Sequence, residues 1–191
     1  MVNETYKHAV SHILLGGVTF WCVYHTDQSG GWKWIYGSYG VLGCYSLLGI
    51  WRYGNPRYGD DVASIYNVSY YMAMAFTLPC MVTQLYLSYG YDWRFSLIHV
   101  ALPVIPMATY LVDNDLEEDL FDLIILGNIV SLGVISVMRE NYYGIVTALS
   151  YAANQFILKN RDFSEVPRRV FYNVALCFHA FFAYRALAEA H

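Results

Sequence analysis

Charged residues along this chain are confined to short runs, and the long segments between these runs carry almost none. This distribution is typical of a multi-span membrane protein and not of a soluble domain. The candidate spans are seven apolar segments, at about residues 9–24, 34–51, 62–89, 95–112, 120–138, 142–158 and 170–187. The sequence therefore predicts an all-α fold, a polytopic integral membrane bundle of about seven transmembrane helices, which forms a single domain over residues 1–191.

Two of these segments contain proline, and the connections between all of them are short. The third segment is long enough to tilt or to kink at Pro79, and the fourth contains Pro103 and Pro106. Several segments are near the short limit for a helix that crosses a bilayer, which favours a thinner membrane such as that of the endoplasmic reticulum or another endomembrane. No connection is long enough to predict an extramembrane domain.

The distribution of lysine and arginine predicts an orientation. With seven spans, the N-terminus and the second, fourth and sixth connections share one face, which carries Lys7, Arg52, Arg57, Lys159, Arg161, Arg168 and Arg169. The other face carries Lys33, Arg94, Arg139 and Arg185. Because cytoplasmic loops are enriched in basic residues, we expect a cytoplasmic N-terminus. The first residues lack a basic region and a cleavage site, so we expect the first segment to be retained as a signal anchor.

Composition agrees with a membrane location and limits the partners. Of the 191 residues, 57% are hydrophobic and 14% are charged, whereas an average soluble domain has about 25% charged residues. The formal net charge of −4 comes without a basic patch, so we expect no nucleic-acid partner. The apolar segments predict contact with the lipid bilayer, and we expect no cofactor. The cysteines form no CxxC pair and are expected to be buried thiols; they are Cys22, Cys44, Cys80 and Cys177.

Small residues recur at every third position of the second segment. Each interior glycine costs about 1 kcal/mol relative to alanine in a water-soluble helix, but in a membrane small residues let neighbouring helices approach closely. Because steps of three residues drift around a helix, we expect this segment to lie near the centre of the bundle, among several neighbours. A pore or a hinge is the functional alternative. The predicted helix-packing positions are Gly37, Gly40, Gly43, Cys44 and Gly49.

Several polar side chains fall inside the apolar segments, where they are costly and often functional. Histidines and amides at these depths either join helices through hydrogen bonds or line a polar path for a substrate. None of the histidines has a lysine or carboxylate companion deep in its own segment. The polar intramembrane candidates are His12, His99, His179, Asn154 and Asn173.

His8 and His12 are the candidates for a metal site. Their spacing of four residues places both imidazoles on one face of a helix, as metal ligands require. Two histidines do not complete a site, so a third ligand would have to come from His99 or His179. The alternative is that all of these histidines are separate polar residues that bind one another or backbone carbonyls.

Two charged connections are candidate partner-binding regions. An acidic stretch precedes the fifth segment and a basic stretch precedes the seventh, and each could attract a surface of opposite charge. The basic stretch would also suit anionic lipid. Capping of the fifth helix by its acidic residues is the structural alternative. The partner-binding candidates are Asp113, Asp115, Glu117, Glu118, Arg161, Arg168 and Arg169.

The sequence contains no nucleophile elbow, phosphate-binding loop or HExxH motif, so no catalytic residue is assigned. The leading hypothesis is a non-enzymatic accessory factor or complex subunit that packs against other membrane proteins. The second is a small transporter or channel with a polar intramembrane path. The third is a metal-dependent intramembrane hydrolase that uses His8 and His12.

Three stretches of the chain resemble an uncharacterised animal family, transmembrane protein 276. They are Ser11-His12-Ile13-Leu14-Leu15-Gly16 in the first segment, Asn141-Tyr142-Tyr143-Gly144 at the start of the sixth, and the last segment, which ends in Tyr184-Arg185-Ala186-Leu187. The resemblance covers about a third of the chain. It implies a multi-pass membrane protein and brings no activity or functional residue.

Overall fold

Helices account for nearly all of the residues that the computed structural model describes, which are 2–26, 33–113, 115–158 and 166–190. The helices are α1 Val2–His25, α2 Trp34–Gly54, α3 Ala63–Ser88, α4 Trp93–Ala101, α5 Val104–Asp113, α6 Glu118–Met138, α7 Tyr142–Ala153 and α8 Arg168–Glu189. A 3-10 turn at Asp60–Val62 precedes α3, and a π-helical turn at Asn154–Leu158 extends α7. The described residues form no β-strand, so the all-α prediction is confirmed for them.

Three helical segments are long and apolar enough to cross a membrane, judged by length and composition: α4 with α5 (Trp93–Asp113), α6 and α8. They are compatible with a membrane location. Each of the seven predicted segments is helical, but among the described residues the other four do not reach the length and apolar composition of these three. The α7 helix is only 12 residues long, and α1 to α3 are interrupted by tyrosine, glycine and small hydroxyl residues.

The fourth predicted segment is two helices, because proline has no N–H group to donate. Pro103 and Pro106 remove the helical hydrogen bonds to the carbonyl groups of His99 and Leu102. The Leu102 carbonyl instead accepts from the Ile105 N–H at 3.2 Å, in a tighter turn between α4 and α5. The α3 helix, in contrast, continues past Pro79 without a break.

The central helix of the bundle is α3. It packs against α2, α4, α5, α6 and α8, and residues 73–83 are all buried except Phe76. A helix that is buried on every side belongs in the interior of a bundle. The expectation that the glycine-rich α2 would be central is therefore wrong, because α2 packs mainly against α1 and α3. The remaining helices close the bundle through α1 with α8, α8 with α7, and α7 with α6.

Candidate functional site

A chain of hydrogen bonds through five side chains joins four helices in the interior of the bundle. We call these residues the His12 network; they are Ser11, His12, Tyr45, Tyr66 and Asn173. The His12 Nε2 atom of α1 lies 3.1 Å from the Tyr66 hydroxyl of α3. The Tyr66 hydroxyl donates to the Tyr45 hydroxyl of α2 at 3.4 Å, which in turn donates to Asn173 Oδ1 of α8 at 3.0 Å. Asn173 Nδ2 donates to Ser11 Oγ of α1 at 2.9 Å. All five side chains are buried.

Two arginines lie against the tyrosine rings beside this network. The Arg52 Cζ atom is 4.8 Å from the centre of the Tyr66 ring, and the Arg169 Cζ atom is 5.7 Å from the same centre and 5.1 Å from that of Tyr70. At these distances a guanidinium group is attracted to the electron-rich ring face. Arg169 also donates to the Tyr53 hydroxyl at 3.5 Å. Two positive charges are therefore held at the edge of the buried network by aromatic rings.

Helical spacing explains how α1 and α2 pack against each other at the His12 network. His8 and His12 lie on one face of α1, and on the facing side of α2 Tyr45, Gly49 and Tyr53 are separated by four residues each. The His8 ring stacks on Tyr53 with ring centres 4.6 Å apart, and the His12 ring meets Tyr45 edge-on at 4.8 Å. Gly49 lies against His12, where a Cβ atom would overlap the imidazole.

This geometry does not assemble the proposed metal ligands. His12 Nε2 is engaged by Tyr66, and His8 stacks on Tyr53. Within the described ranges no group of three His, Cys, Asp or Glu side chains could hold a metal ion. The hydrolase hypothesis therefore has no third donor in the part of the chain that the structure describes.

His99 lies in a different cluster, between α3, α4 and α6. Its Nε2 atom is 3.4 Å from Ser131 Oγ, which is 2.7 Å from the Tyr86 hydroxyl. The rings of His99 and Tyr86 are 4.8 Å apart between centres. No described hydrogen bond connects this cluster to the His12 network, so the structure does not bring His12 and His99 together.

His179 is completely buried in the middle of α8. Its ring meets Tyr151 of α7 edge-on with ring centres 4.7 Å apart. Neither ring nitrogen has a hydrogen-bond partner among the described residues. At the C-terminal end of α7, Asn154 Nδ2 donates to the Tyr172 carbonyl at 3.5 Å. Of the five polar candidates, only His12 and Asn173 belong to one hydrogen-bonded network.

Residues from the acidic and the basic connection meet at one cavity of about 300 Å³, which we call the Arg168 cavity. It is lined by Tyr70, Tyr71, Leu116, Glu118, Arg168, Arg169 and Tyr172. Asp113, Asp115 and Glu117 are exposed and do not line it. Arg161, the remaining partner-binding candidate, lies outside the described residues.

The glycine-rich helix turns part of its small-residue surface outward. Gly40 and Cys44 line an apolar groove of about 270 Å³ between α2 and α3, and a Cβ atom added at Gly40 or Gly43 would meet nothing within 4 Å. Gly37 faces inward, 3.4 Å from the Cys80 sulfur when given a Cβ atom. The expectation of four buried thiols is wrong for Cys44, which is exposed; Cys22, Cys80 and Cys177 are buried, and all four are free.

The sequence analysis did not identify Tyr45 as a member of the His12 network, or Arg52 and Tyr53 as residues beside it. The available signal was their spacing relative to Gly49, which places the two tyrosines on one face of α2. Spacing alone could not show that this face meets the histidine face of α1. That pairing depends on contacts between residues far apart in the sequence, such as His12 and Tyr66.

Comparison with known proteins gives one match. The model of a family described as a domain of unknown function, DUF4791, matches residues 34–184. This range includes the whole lining of the Arg168 cavity and three of the five residues of the His12 network, but not Ser11 or His12. No curated protein and no solved structure matches the chain. Because the matched stretch is well over half of the sequence, the chain belongs to the DUF4791 family.

Proposed function

We propose that this protein is a non-enzymatic accessory subunit that binds a transmembrane helix of another membrane protein. The observation that carries the proposal is the groove between α2 and α3, where Gly40 leaves the backbone of α2 uncovered. Helices in lipid associate through close packing of their backbones, and small residues permit that approach. Gly40 and Cys44 are four residues apart, so they lie on one face as two small residues of a helix-packing pair do.

A second apolar groove, between α1 and α8, has large side chains where the α2–α3 groove has small ones. It has a volume of about 710 Å³ and includes Gly17, but large side chains such as Trp21, Phe178 and Phe181 dominate it. Lipid tails are as apolar as these side chains, so a surface of this kind gains little from a protein partner. We assign this groove to lipid and the α2–α3 groove to a partner helix.

We infer about seven spans, in which α1, α2, α3 and α7 cross the bilayer beside the three more apolar segments. The excess of basic residues at the N-terminal face favours a cytoplasmic N-terminus, and the short spans favour the endoplasmic reticulum or another endomembrane. The resemblance of three stretches of the chain to the transmembrane protein 276 family supports a multi-pass topology.

The test is the native mass of the full chain purified in a mild detergent, with identification of any retained protein. A partner bound in the α2–α3 groove should be retained by the wild type and lost from Gly40→Leu. The Gly17→Leu variant is the matched control, because residue 17 is also open and lies in the other groove. It should retain the partner.

The other outcomes decide against the proposal. A lone protomer in a membrane extract from its native cells would leave the groove without a partner helix. Loss of the partner from both variants would remove the assignment to this groove. A complex of two copies that Gly40→Leu dissociates would make the groove a homodimer interface; oxidative cross-linking through the exposed Cys44 would detect that arrangement.

A small transporter is the second candidate function. The observation that favours it is His179, which is buried without a described hydrogen-bond partner and lies next to Tyr151 in the interior. Buried polar groups of this kind often mark substrate or ion pathways in membrane proteins. Flux into proteoliposomes that His179→Ala abolishes would support this function, and flux that is unchanged in this variant would remove His179 from the path.

A further inference from the structure

The Arg168 cavity lies where three apolar segments end. The α6 helix begins at Glu118 and α8 begins at Arg168, and both residues line the cavity. The broken helix of α4 and α5 ends at Asp113, three residues before Leu116, which also lines it. These are the three segments that are long and apolar enough to cross a bilayer. Their shared end places the cavity at the level of the lipid headgroups, where phosphate groups are concentrated.

Among the described residues that line the cavity, the charged groups are two guanidinium groups and one carboxylate. Arg168 and Arg169 begin α8, and the positive end of that helix adds to their attraction for an anion. Arginine binds phosphate and carboxylate groups through two parallel hydrogen bonds, which is why it is common in phosphate sites. Glu118 sits in the same lining and would repel a ligand that is anionic throughout, but would bind an ammonium group.

Tyrosine side chains complete the lining. Tyr172 is 2% exposed, and its hydroxyl has no hydrogen-bond partner within the described part of the chain. A buried hydroxyl without a partner is costly. Tyr70 and Tyr71 are half-buried, and their rings offer apolar and electron-rich faces to an alkyl or ammonium group.

We propose that the Arg168 cavity binds a phospholipid headgroup with two anionic groups and one ammonium group, as in phosphoserine. Arg168 and Arg169 bind the phosphate and the carboxylate, and Glu118 binds the ammonium group. The net charge of −1 on this headgroup complements the net charge of +1 from the two arginines and one glutamate. The site would then face the cytoplasmic leaflet, where anionic lipids such as phosphatidylserine reside. This proposal rests on the membrane location and does not require a protein partner.

Native mass spectrometry of the lipid-stripped full chain tests the proposal. The probes are phosphatidylserine, phosphatidylglycerol and phosphatidylcholine with identical acyl chains, and O-phosphoserine and inorganic phosphate as soluble competitors. We expect phosphatidylserine to bind most tightly, because phosphatidylglycerol lacks the ammonium group and phosphatidylcholine lacks the second anionic group. The soluble competitors should displace it only weakly, since they lack the acyl chains.

Three variants separate the site from general charge effects. Arg168→Gln should weaken phosphatidylserine binding about tenfold or more, the loss expected for a hydrogen bond between charged groups. Arg185→Gln removes the same charge from an exposed position near the other end of α8 and should leave binding unchanged. Glu118→Gln should reduce the preference for phosphatidylserine over phosphatidylglycerol, because only the former has an ammonium group.

Several results would overturn the proposal. Equal binding of phosphatidylserine and phosphatidylcholine would mean that the cavity does not read headgroup charge. Equal losses in Arg168→Gln and Arg185→Gln would assign binding to the overall charge of the protein. Displacement of the lipid by O-phosphoserine or phosphate at comparable concentrations would identify a soluble ligand as the occupant. The Gly40→Leu result bears on the partner helix alone, so the two proposals can fail separately.

Discussion

Gly49 of α2 and His12 of α1 are in direct contact, and a Cβ atom at residue 49 would overlap three carbon atoms of the imidazole ring. The same ring presents Nε2 to the Tyr66 hydroxyl at 3.1 Å. The missing side chain at residue 49 is therefore what lets α2 approach α1 closely enough for one histidine to join three helices. A side chain at residue 49 would have to displace the His12 ring or separate the two helices.

We expect Gly49→Ala to destabilise the protein. The added methyl group must displace the His12 ring or separate α1 from α2, and overpacking of a tight interior costs about 1–3 kcal/mol. Gly43→Ala is the matched control, because a Cβ atom at residue 43 meets nothing within 4 Å. It should be neutral or slightly stabilising, since alanine favours the helix. The measurement is the thermal unfolding midpoint of each variant in the same detergent.

A double-mutant cycle shows whether the cost of Gly49→Ala arises at His12. In a His12→Ala background the ring is absent, so the added methyl group should cost much less than it does in the wild type. An equal cost in both backgrounds would mean that the alanine acts somewhere else. A Gly49→Ala variant as stable as Gly43→Ala would contradict the contact itself.

Two tyrosine-to-phenylalanine changes should have opposite effects, although both remove a single oxygen atom. Tyr45 donates to Asn173 and accepts from Tyr66, so Tyr45→Phe leaves buried polar groups without a partner and should cost about 1–3 kcal/mol. Tyr172 has an equally buried hydroxyl that no described residue binds. Tyr172→Phe should therefore be neutral or stabilising.

This pair should be measured by thermal unfolding of the lipid-stripped protein. Without lipid, the Tyr172 hydroxyl contributes only the unfavourable free energy of its burial. Lipid is removed because a bound headgroup that accepted a hydrogen bond from this hydroxyl would offset that cost. Similar destabilisation by both changes would show that Tyr172 has a partner in solution. No destabilisation by Tyr45→Phe would show that the His12 network does not contribute to the folded state.

Asn141 connects the ends of several helices, and we expect its replacement to be costly. Its Oδ1 atom accepts from the Gly144 N–H at 2.7 Å and caps α7, while its Nδ2 atom donates to the Ala186 carbonyl and the Tyr89 hydroxyl, each at 2.7 Å. Losing the cap costs about 1 kcal/mol, and an unpaired buried carbonyl costs about 1–3 kcal/mol more. Asn141→Ala should lower the unfolding midpoint by several degrees.

Asn141→Ser separates the two contributions. The serine hydroxyl can cap α7 but cannot reach Ala186 and Tyr89 as the longer amide does. We therefore expect its stability to lie between those of the wild type and Asn141→Ala. Equal stability of the serine variant and the wild type would assign the whole effect to the helix cap and none to the contacts with α3 and α8.

The positions of the helices could be predicted from the sequence because the signals are local. Long uncharged segments predicted every helical segment, although the fourth was predicted as one span and is two helices, α4 and α5, on either side of Pro103. The prediction of seven spans rested on the same segments, but tyrosine lowers the apolar character of α1 to α3. Three segments alone have the composition of a membrane-crossing helix within the described ranges.

The site could not be predicted in the same way because it depends on which helix faces meet. Glu118 and Arg168 are 50 positions apart and were identified as parts of two separate charged regions, yet both line one cavity. Cys44 was expected to be buried because its segment is apolar, but burial depends on the neighbours of α2, and none of them covers that face. When a helix is apolar on most sides, its sequence does not specify which side is inward.

The ends of α3 and α6 provide a last pair of opposite changes. Gly90 follows α3 with φ of 78°, and Glu140 follows α6 with φ of 55°. Both occupy the left-handed region, which costs a residue with a side chain about 1–2 kcal/mol, and glycine is the residue that helix ends of this kind prefer. Glu140→Gly should therefore raise the thermal unfolding midpoint, and Gly90→Ala should lower it. Nothing lies within 4 Å of a Cβ atom at residue 90, so the loss would report backbone strain and not a clash. A lower midpoint for Glu140→Gly would show that the glutamate side chain makes a stabilising contact larger than this strain.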